Sequence, residues 1–432
     1  MERLFKIFRE AGKELFLVGG AVRDLALGIE MKDLDDLDFC TNALPAQSLE
    51  ILKKNNFSTY DMGFEFGTVG ATLYGPKEGG FPKDVQVTTY RSSEFYRRGS
   101  RHPEVKFGTT IEQDLKRRDF SINSMAFDEK GEFFDPYDGL GDLKKGVLRV
   151  VSDPQETLAE DPLRILRVAR FVSRLGFSID PALMDAACAR SNNIKEISKE
   201  RWLQEMNKLL VGDYVKDAID FLVCSGVFHV ILPELWEGTQ TPANEKSKAL
   251  TEAVEMLVRA EKNKALRWGI LLHHILPRIT EKERDKVVAK IGKRFTFDNE
   301  STREIRAIVR HQHLLLSLNK DVDDPALKRV YLQLAPFFHA LCDFSKAKDP
   351  KRESDMVAFE SRVEELQKEG RLIPELPSGV GEEMMKDFSL KPSRLIGEMK
   401  SFLENEIIDD RLQSRLSAPE YVDYLRHHYD WD

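Results

Sequence analysis

Leu15-Phe16-Leu17-Val18-Gly19-Gly20-Ala21-Val22-Arg23-Asp24, followed by Asp36-Leu37-Asp38-Phe39, is the stretch on which the fold turns. Four apolar residues read as a strand, and two glycines then open a helical pattern that runs through Leu27. Bare backbone N–H groups at such a turn cradle phosphate. Arg23, one turn into the helix, adds a forked cationic donor. Asp36 to Phe39 reads as a second short strand. Alternate residues of a strand face one side, so the Asp36 and Asp38 carboxylates point into one space. Like charges that close need a cation between them, and a hard divalent ion such as Mg²⁺ fits. A phosphate cradle beside paired carboxylates is the pattern of a two-metal phosphoryl-transfer site. The bland alternatives are a tight strand-to-helix turn and an acidic surface turn.

Two more strands follow, Gly67 to Leu73 and Val85 to Tyr90, both alternating and rich in β-branched residues. Gln86 stands where a third carboxylate would be wanted. The first ~140 residues are therefore an α+β domain. Beyond residue ~150 the period changes to that of helices: Glu160–Leu175, Lys199–Leu210, Ala243–Ala260, Lys264–Leu276, Ser301–Leu316 and Leu327–Phe344. Loops at Ser345–Glu353 and Gly370–Gly381 mark a boundary before a last helical segment.

Two basic features stand out in a chain of 432 residues and net charge −8. Residues 91–119 carry eight Lys and Arg against five acids, ending in Arg117-Arg118-Asp119-Phe120-Ser121-Ile122-Asn123. Phe95, Tyr96 and these arginines suit a triphosphate or RNA. In Glu160-Asp161-Pro162-Leu163-Arg164, the cations Arg164, Arg167, Arg170 and Arg174 line one helical face with few acids nearby, so an anion is expected there. Asp161 and Arg164 offer an acceptor and a forked donor, which can read a base edge. Asp161 before Pro162 also reads as a helix cap.

Composition excludes several classes. Hydrophobic residues are 41% and charged residues 32%, ordinary for a globular protein. The longest uncharged stretches, 221–233 and 330–342, contain proline and fall short of the ~20 apolar residues of a membrane span. The charged start, Met1-Glu2-Arg3-Leu4-Phe5-Lys6, does not read as a signal peptide. Cys40, Cys188, Cys224 and Cys342 lie far apart in sequence, without CxxC, and fit a reducing cytoplasm. His273-His274, with His229, His311 and His313, is a weak sign of a phosphohydrolase centre. His274 stands where such a centre wants aspartate.

Gly19-Gly20-x-x-Arg23-Asp24, Asp36-x-Asp38, Arg117-Arg118-Asp119-Phe120-Ser121-Ile122-Asn123, Asp135-Pro136-Tyr137-Asp138-Gly139 and Glu160-Asp161-x-x-Arg164 occur in that order. Together they resemble the class II tRNA nucleotidyltransferases, which comprise bacterial CCA-adding enzymes and poly(A) polymerases. The likeness spans residues ~10 to 210 and includes Glu200-Arg201-x-x-x-Glu205-x-x-Lys208. Ser121 and Ser124 depart mildly from the usual threonine and alanine.

The resemblance implies a nucleotidyltransferase head with a small mixed sheet (residues 1–142), then an all-α remainder. That remainder comprises a nucleotide-reading neck (143–210), a body like a degenerate HD domain (211–345) and a tRNA-binding tail (346–432). It implies Mg²⁺ on catalytic Asp36 and Asp38, and nucleotide contacts from Gly19, Gly20, Arg23 and Arg118. Asp161 and Arg164 would pair with incoming CTP or ATP, supported by Arg167 and Arg170. The expected activity is addition of C, C and A to tRNA 3′ ends with release of pyrophosphate, by a cytoplasmic monomer or dimer. An A-adding or CC-adding specialist, a poly(A) polymerase, a metal-dependent phosphohydrolase and an inactive RNA-binding protein are the alternatives.

Overall fold

The computed structural model describes residues 1–34, 37–61, 63–73, 83–96, 103–108, 110–235, 243–275 and 281–431. Asp36, one of the two expected catalytic carboxylates, lies outside the described residues.

Strand β1 (Leu15–Val18) shows how the sheet is built. Leu15 and Leu17 enter one apolar cluster, while Phe16 and Val18 enter another. Period-2 alternation of wholly apolar residues means a strand buried on both faces. Strand β2 (Leu37–Thr41) repeats the pattern, with Leu37 and Phe39 on the first face and Asp38 and Cys40 on the second. With β3 (Ser58–Asp61), β4 (Thr68–Leu73) and β5 (Lys83–Thr89) they form most of a seven-stranded sheet. A hairpin, β6 (Arg91–Tyr96) and β7 (Pro103–Phe107), stands apart, and β8 (Ala126–Phe127) and β9 (Phe133–Phe134) complete the sheet. Its order is β3-β4-β5-β2-β1-β8-β9, and only β2 and β5 run parallel. The sequence placed β1, β2, β4 and β5 within a residue or two.

Helices α1 (Glu2–Glu10), α2 (Gly20–Ala26) and α3 (Pro45–Lys54) cover the first face with Leu4, Ile7, Phe8, Val22 and Leu52. Helix α4 (Ile111–Lys116) covers the second through Ile111 and Leu115, which meet Val18, Cys40 and Tyr90. Each such side chain contributes roughly 1.5–3 kcal/mol on burial.

After α5 (Gly139–Lys145) the chain is helical, apart from a two-residue parallel ladder, β10 (Val147–Leu148) with β11 (Ser178–Ile179). The helix expected over 160–175 begins at Leu163, and a separate short helix precedes it. Helix α6 (Pro154–Glu160) stops before Asp161, whose backbone is extended, and α7 (Leu163–Leu175) begins after Pro162. A residue preceding proline is pushed out of the helical region, which explains the break. Helices α9 (Lys199–Leu210) and α10 (Val215–Cys224) pack on α7, while α8 (Pro181–Arg190) packs on α6 and α11 (Val227–Ile231) on α10.

Residues 1–241 and 291–297 form one compact unit; 242–290 and 298–432 form the other. The second is helical throughout its described residues. The helix expected over 327–344 is also broken, into Asp324–Leu334 and Phe338–Lys348, at Ala335-Pro336. Proline there lacks the N–H that the helix would need. The final segment, 380–429, gathers Met384, Met399, Leu403, Tyr421 and Leu425 into its own core.

Candidate active site

The glycine turn comes first. Gly19 has φ +72°, a conformation that side chains other than glycine rarely adopt, and a Cβ there would lie 3.0 Å from Arg118 Nη1. Backbone and guanidinium thus approach closely at the start of α2. Asp38, half-buried, sits beside the turn, because β2 pairs Asp38 with Val18, the residue before Gly19. On its other side Asp38 pairs with Gln86 of β5. The amide therefore occupies the neighbouring position where the sequence lacked a third acid.

Arg118 reaches this corner from the end of α4. Its Nη2 donates to Asp114 Oδ2 at 2.8 Å, and Arg117 Nη2 donates to Asp114 Oδ1 at 2.7 Å. Asp114 is fully buried and also accepts from the Arg91 backbone N–H at 3.1 Å. Burial alone would raise its carboxyl; Arg118 and Arg117 outweigh burial and hold it down at about 2. Burial likewise opposes the Arg118 charge, but Asp114, with Asp38 further off, raises that guanidinium above its ordinary value.

From here a chain of polar contacts runs to α7 and α9. Arg23 Nη1 donates to Asn123 Oδ1 at 2.6 Å, and Asn123 Nδ2 donates to Asp119 Oδ1 at 3.0 Å. Asp119 Oδ2 accepts from Arg167 Nε at 2.8 Å. Glu205 of α9 then lies 3.8 Å from Arg167 and 3.2 Å from Arg170. Arg167 and the bond from Asn123 overcome burial and hold the Asp119 carboxyl well below the usual range. Arg170 sits 4.5 Å over the Phe171 ring; burial and Arg167 lower its guanidinium to about 10.

The expected anion-seeking stripe is thereby corrected. Its cations do have acids, drawn from distant segments: Asp119 for Arg167, Glu205 for Arg170 and Asp24 for Arg174 at 2.9 Å. Arg164 Nη2 donates to the Arg117 carbonyl at 2.8 Å. Asp161 caps α7 through the Leu163 N–H at 3.1 Å and accepts from Arg201 Nη2 at 2.9 Å. Asp161 is therefore a helix cap that also lines the cleft described next.

An open cleft of about 240 Å³ remains, lined by Arg117, Arg118, Asp119, Asp161, Arg164, Arg167 and Arg201. Five guanidinium groups and two carboxylates line the cleft, and Asp114, Glu160 and Glu205 pair with four of those arginines from outside the lining, so what the cleft offers a ligand is an array of fixed guanidinium donors rather than a net charge. Arg23, only 2% exposed, stands behind the wall, tied to Asp24 and Asn123.

Asp114 and Asn123 were missed by reading the sequence for sites. The spacing of Asp114, Arg117 and Arg118 at i, i+3 and i+4 on a helix could have revealed the first. Arg201 and Glu205 stood in a quoted motif without an assigned role. Asp135, in another motif, caps α5 by accepting from Gly139 and Leu140 at 2.7 and 2.9 Å. His273 packs edge-on against Phe344, and no three His, Cys, Asp or Glu side chains converge as metal ligands among the described residues. The side chain of His274 lies outside them.

Comparison with known proteins agrees with this architecture. The family described as the poly A polymerase head domain matches residues 15–149, and the probable RNA and SrmB-binding site of polymerase A matches 176–238. A CCA-adding enzyme of Streptococcus suis is 28% identical over 411 residues, 95% of this chain and 92% of that protein. One from Geobacillus sp. is 33% identical over 270 residues, 62% of this chain and 61% of that protein. Among solved structures, the Bacillus stearothermophilus CCA-adding enzyme in complex with CTP superposes with a TM-score of 0.74 at 23% identity, covering 98% of this chain and 96% of that one. Residues 15–149 thus match the poly A polymerase head domain, and over nearly its whole length the chain is similar to bacterial CCA-adding enzymes.

Proposed function

We propose that this protein adds C, C and A to the 3′ ends of tRNA from CTP and ATP, releasing pyrophosphate. The observation that carries the reading is one cleft in which a guanidinium-rich lining adjoins an acceptor–donor pair, Asp161 and Arg164. The triphosphate lies against the Gly19-Gly20 backbone and Arg118, which oppose its charge. Asp161 accepts from an exocyclic amino group and Arg164 donates to the adjacent ring nitrogen. Cytosine and adenine present both features. Uracil and guanine put a carbonyl where the amino group should be, and a carboxylate repels it. To meet a base, Arg164 exchanges the Arg117 carbonyl for the ligand, while Arg201 keeps Asp161 in place. Arg167, Arg170 and Arg23 hold the wall in register.

The tRNA 3′ oxygen attacks the α-phosphorus in line, a P–O bond forms, the bond to pyrophosphate breaks, and the hydroxyl gives up its proton. Positioning and charge neutralisation carry most of such a step. Asp38 and Asp36, with the Gln86 amide oxygen one strand away, are a hard oxygen donor set that suits Mg²⁺. Bound there, that ion would supply charge neutralisation and a more acidic attacking hydroxyl. The division into head, neck, body and tail at residues 142, 210 and 345 follows the same reading, with the tail on tRNA. No described helix is long and apolar enough to cross a membrane, and a substrate such as tRNA fits a cytoplasmic site of action.

The test is single-nucleotide resolution of products from tRNA transcripts ending at the discriminator base, at C or at CC, with CTP, ATP or both. Three additions and no more are expected. Only a final A, only two Cs or a long A ladder would each replace the reading with the corresponding specialist or a poly(A) polymerase.

A further inference from the structure

The four cysteines fall into two classes. Cys40 and Cys342 are buried, and burial pushes both thiols well up. Cys188 and Cys224 are exposed. Far apart in sequence, these two meet in space where α8 passes the end of α10. Cys188 Sγ lies 3.8 Å from the Cys224 carbonyl oxygen. Burial, Asp185 and then Cys224 raise the Cys188 thiol, so the two sulfurs also sense one another electrostatically. Disulfides join residues whose Cα atoms are about 4.4–6.8 Å apart, and a sulfur touching the other residue's backbone leaves the pair close enough for a small shift of the chain to bring them to that distance.

We propose that Cys188 and Cys224 are a reversible oxidation site, closing to a disulfide that staples α8 to α10. A small-molecule disulfide of the glutathione class is the oxidant. One cysteine thiolate attacks it, forming a mixed disulfide and expelling one small thiol. The second cysteine attacks the protein sulfur of that mixed disulfide and expels the other small thiol. The protein loses two protons and two electrons, and the small disulfide is reduced to two thiols. Disulfides in cytosolic proteins are usually transient and redox-sensing, and exposed ones are the readily reversed kind.

The position gives the staple a consequence. Helix α8 packs on α6, whose last residue precedes Asp161. Helix α10 packs on α7, which carries Arg164, Arg167 and Arg170. The link therefore braces the turn between α6 and α7 from both sides. The covalent event does not depend on the function proposed above, so the test reads it directly.

The full-length protein is incubated with oxidised glutathione, free thiols are trapped by alkylation, and peptides are mapped by mass. A linked Cys188–Cys224 peptide is expected, with Cys40 and Cys342 alkylated only after unfolding. The thermal midpoint should rise by about 5 °C, because the link constrains the unfolded chain, and return on reduction by dithiothreitol. Both thiols are exposed, so Cys188→Ser and Cys224→Ser should fold. Each should take one glutathione on the remaining cysteine and show no such rise. Separate glutathione adducts on both cysteines of the wild type, without a link, would overturn the proposal. So would a linked chain whose midpoint does not rise.

Discussion

Two parts of this molecule are dense in arginine–carboxylate pairs, yet they differ in kind. In the cleft, Asp114 serves Arg117 and Arg118, while Asp119 and Glu205 between them serve Arg167 and Arg170. The acids are buried, and the cations outnumber them along the lining. In the second unit, Asp324 meets Arg362 and Arg371; Asp410 meets Lys328 and Arg371; and Asp409 meets Arg329 and Arg411. Most of those partners are partly exposed, and charges of both signs interleave. Pairs alone do not mark a site. What distinguishes the cleft is that its arginines are held rigid by buried acids while their donors still line an open space where a ligand can meet them.

The largest effect should come from the carboxylate beside the glycine turn. Asp38→Ala should lower nucleotide addition by ~10³-fold or more, because charge stabilisation at the reacting centre is lost. Unchanged circular dichroism with full activity would remove Asp38 from the chemistry. Arg118→Ala should cost roughly 10²-fold in kcat/KM, with tRNA affinity nearly intact. Arg164→Ala should blur the choice among CTP, ATP and UTP more than it weakens tRNA binding. Lost tRNA affinity with unaltered choice would make this arginine a grip on RNA instead.

Asp114→Asn sharpens the comparison through stability. Uncoupling two arginines from a buried acid should cost about 3–5 kcal/mol in urea unfolding. Arg362→Ala in the second unit should cost only about 0–1 kcal/mol and leave addition unchanged, as partly exposed pairs do. Equal losses at both positions would erase the distinction drawn here.

Acid offers a gentler probe. Asp114 is held at about 2 in the folded protein, below its ordinary 3.8. A depressed carboxyl contributes stability that is present above the unfolded value and lost as pH falls through the folded one. Stability should therefore decline between about pH 4 and pH 2, with Asp114 alone contributing about 2 kcal/mol. A urea midpoint flat across that window in the wild type would contradict the pairing.

Much of the site was legible in the sequence because its signals are local. Val18-Gly19-Gly20 is a strand running into a turn wherever it occurs, and Asp38 needs only the two-residue period to face inward. The start of the helix at Asp161-Pro162 was legible too, because an aspartate before a proline reads as a cap. The break at Pro336 was not, since helical periodicity on either side masked it. The arginine stripe was read correctly as a face and incorrectly as one short of acids. Nothing near Arg167 in sequence announces Asp119, and nothing near Arg174 announces Asp24.

What the sequence by itself determined is therefore what adjacent residues impose on one another. That includes the alternation of β1 and β2, the glycine at positive φ, the helix faces and the identity of each charged group. The tertiary structure alone decided which charges cancel and which remain. Asp24 and Arg174 meet although 150 positions separate them, and so do Arg23 and Asn123 across 100. Electrostatic surplus is a sum over neighbours in space, so it exists only once the chain has folded.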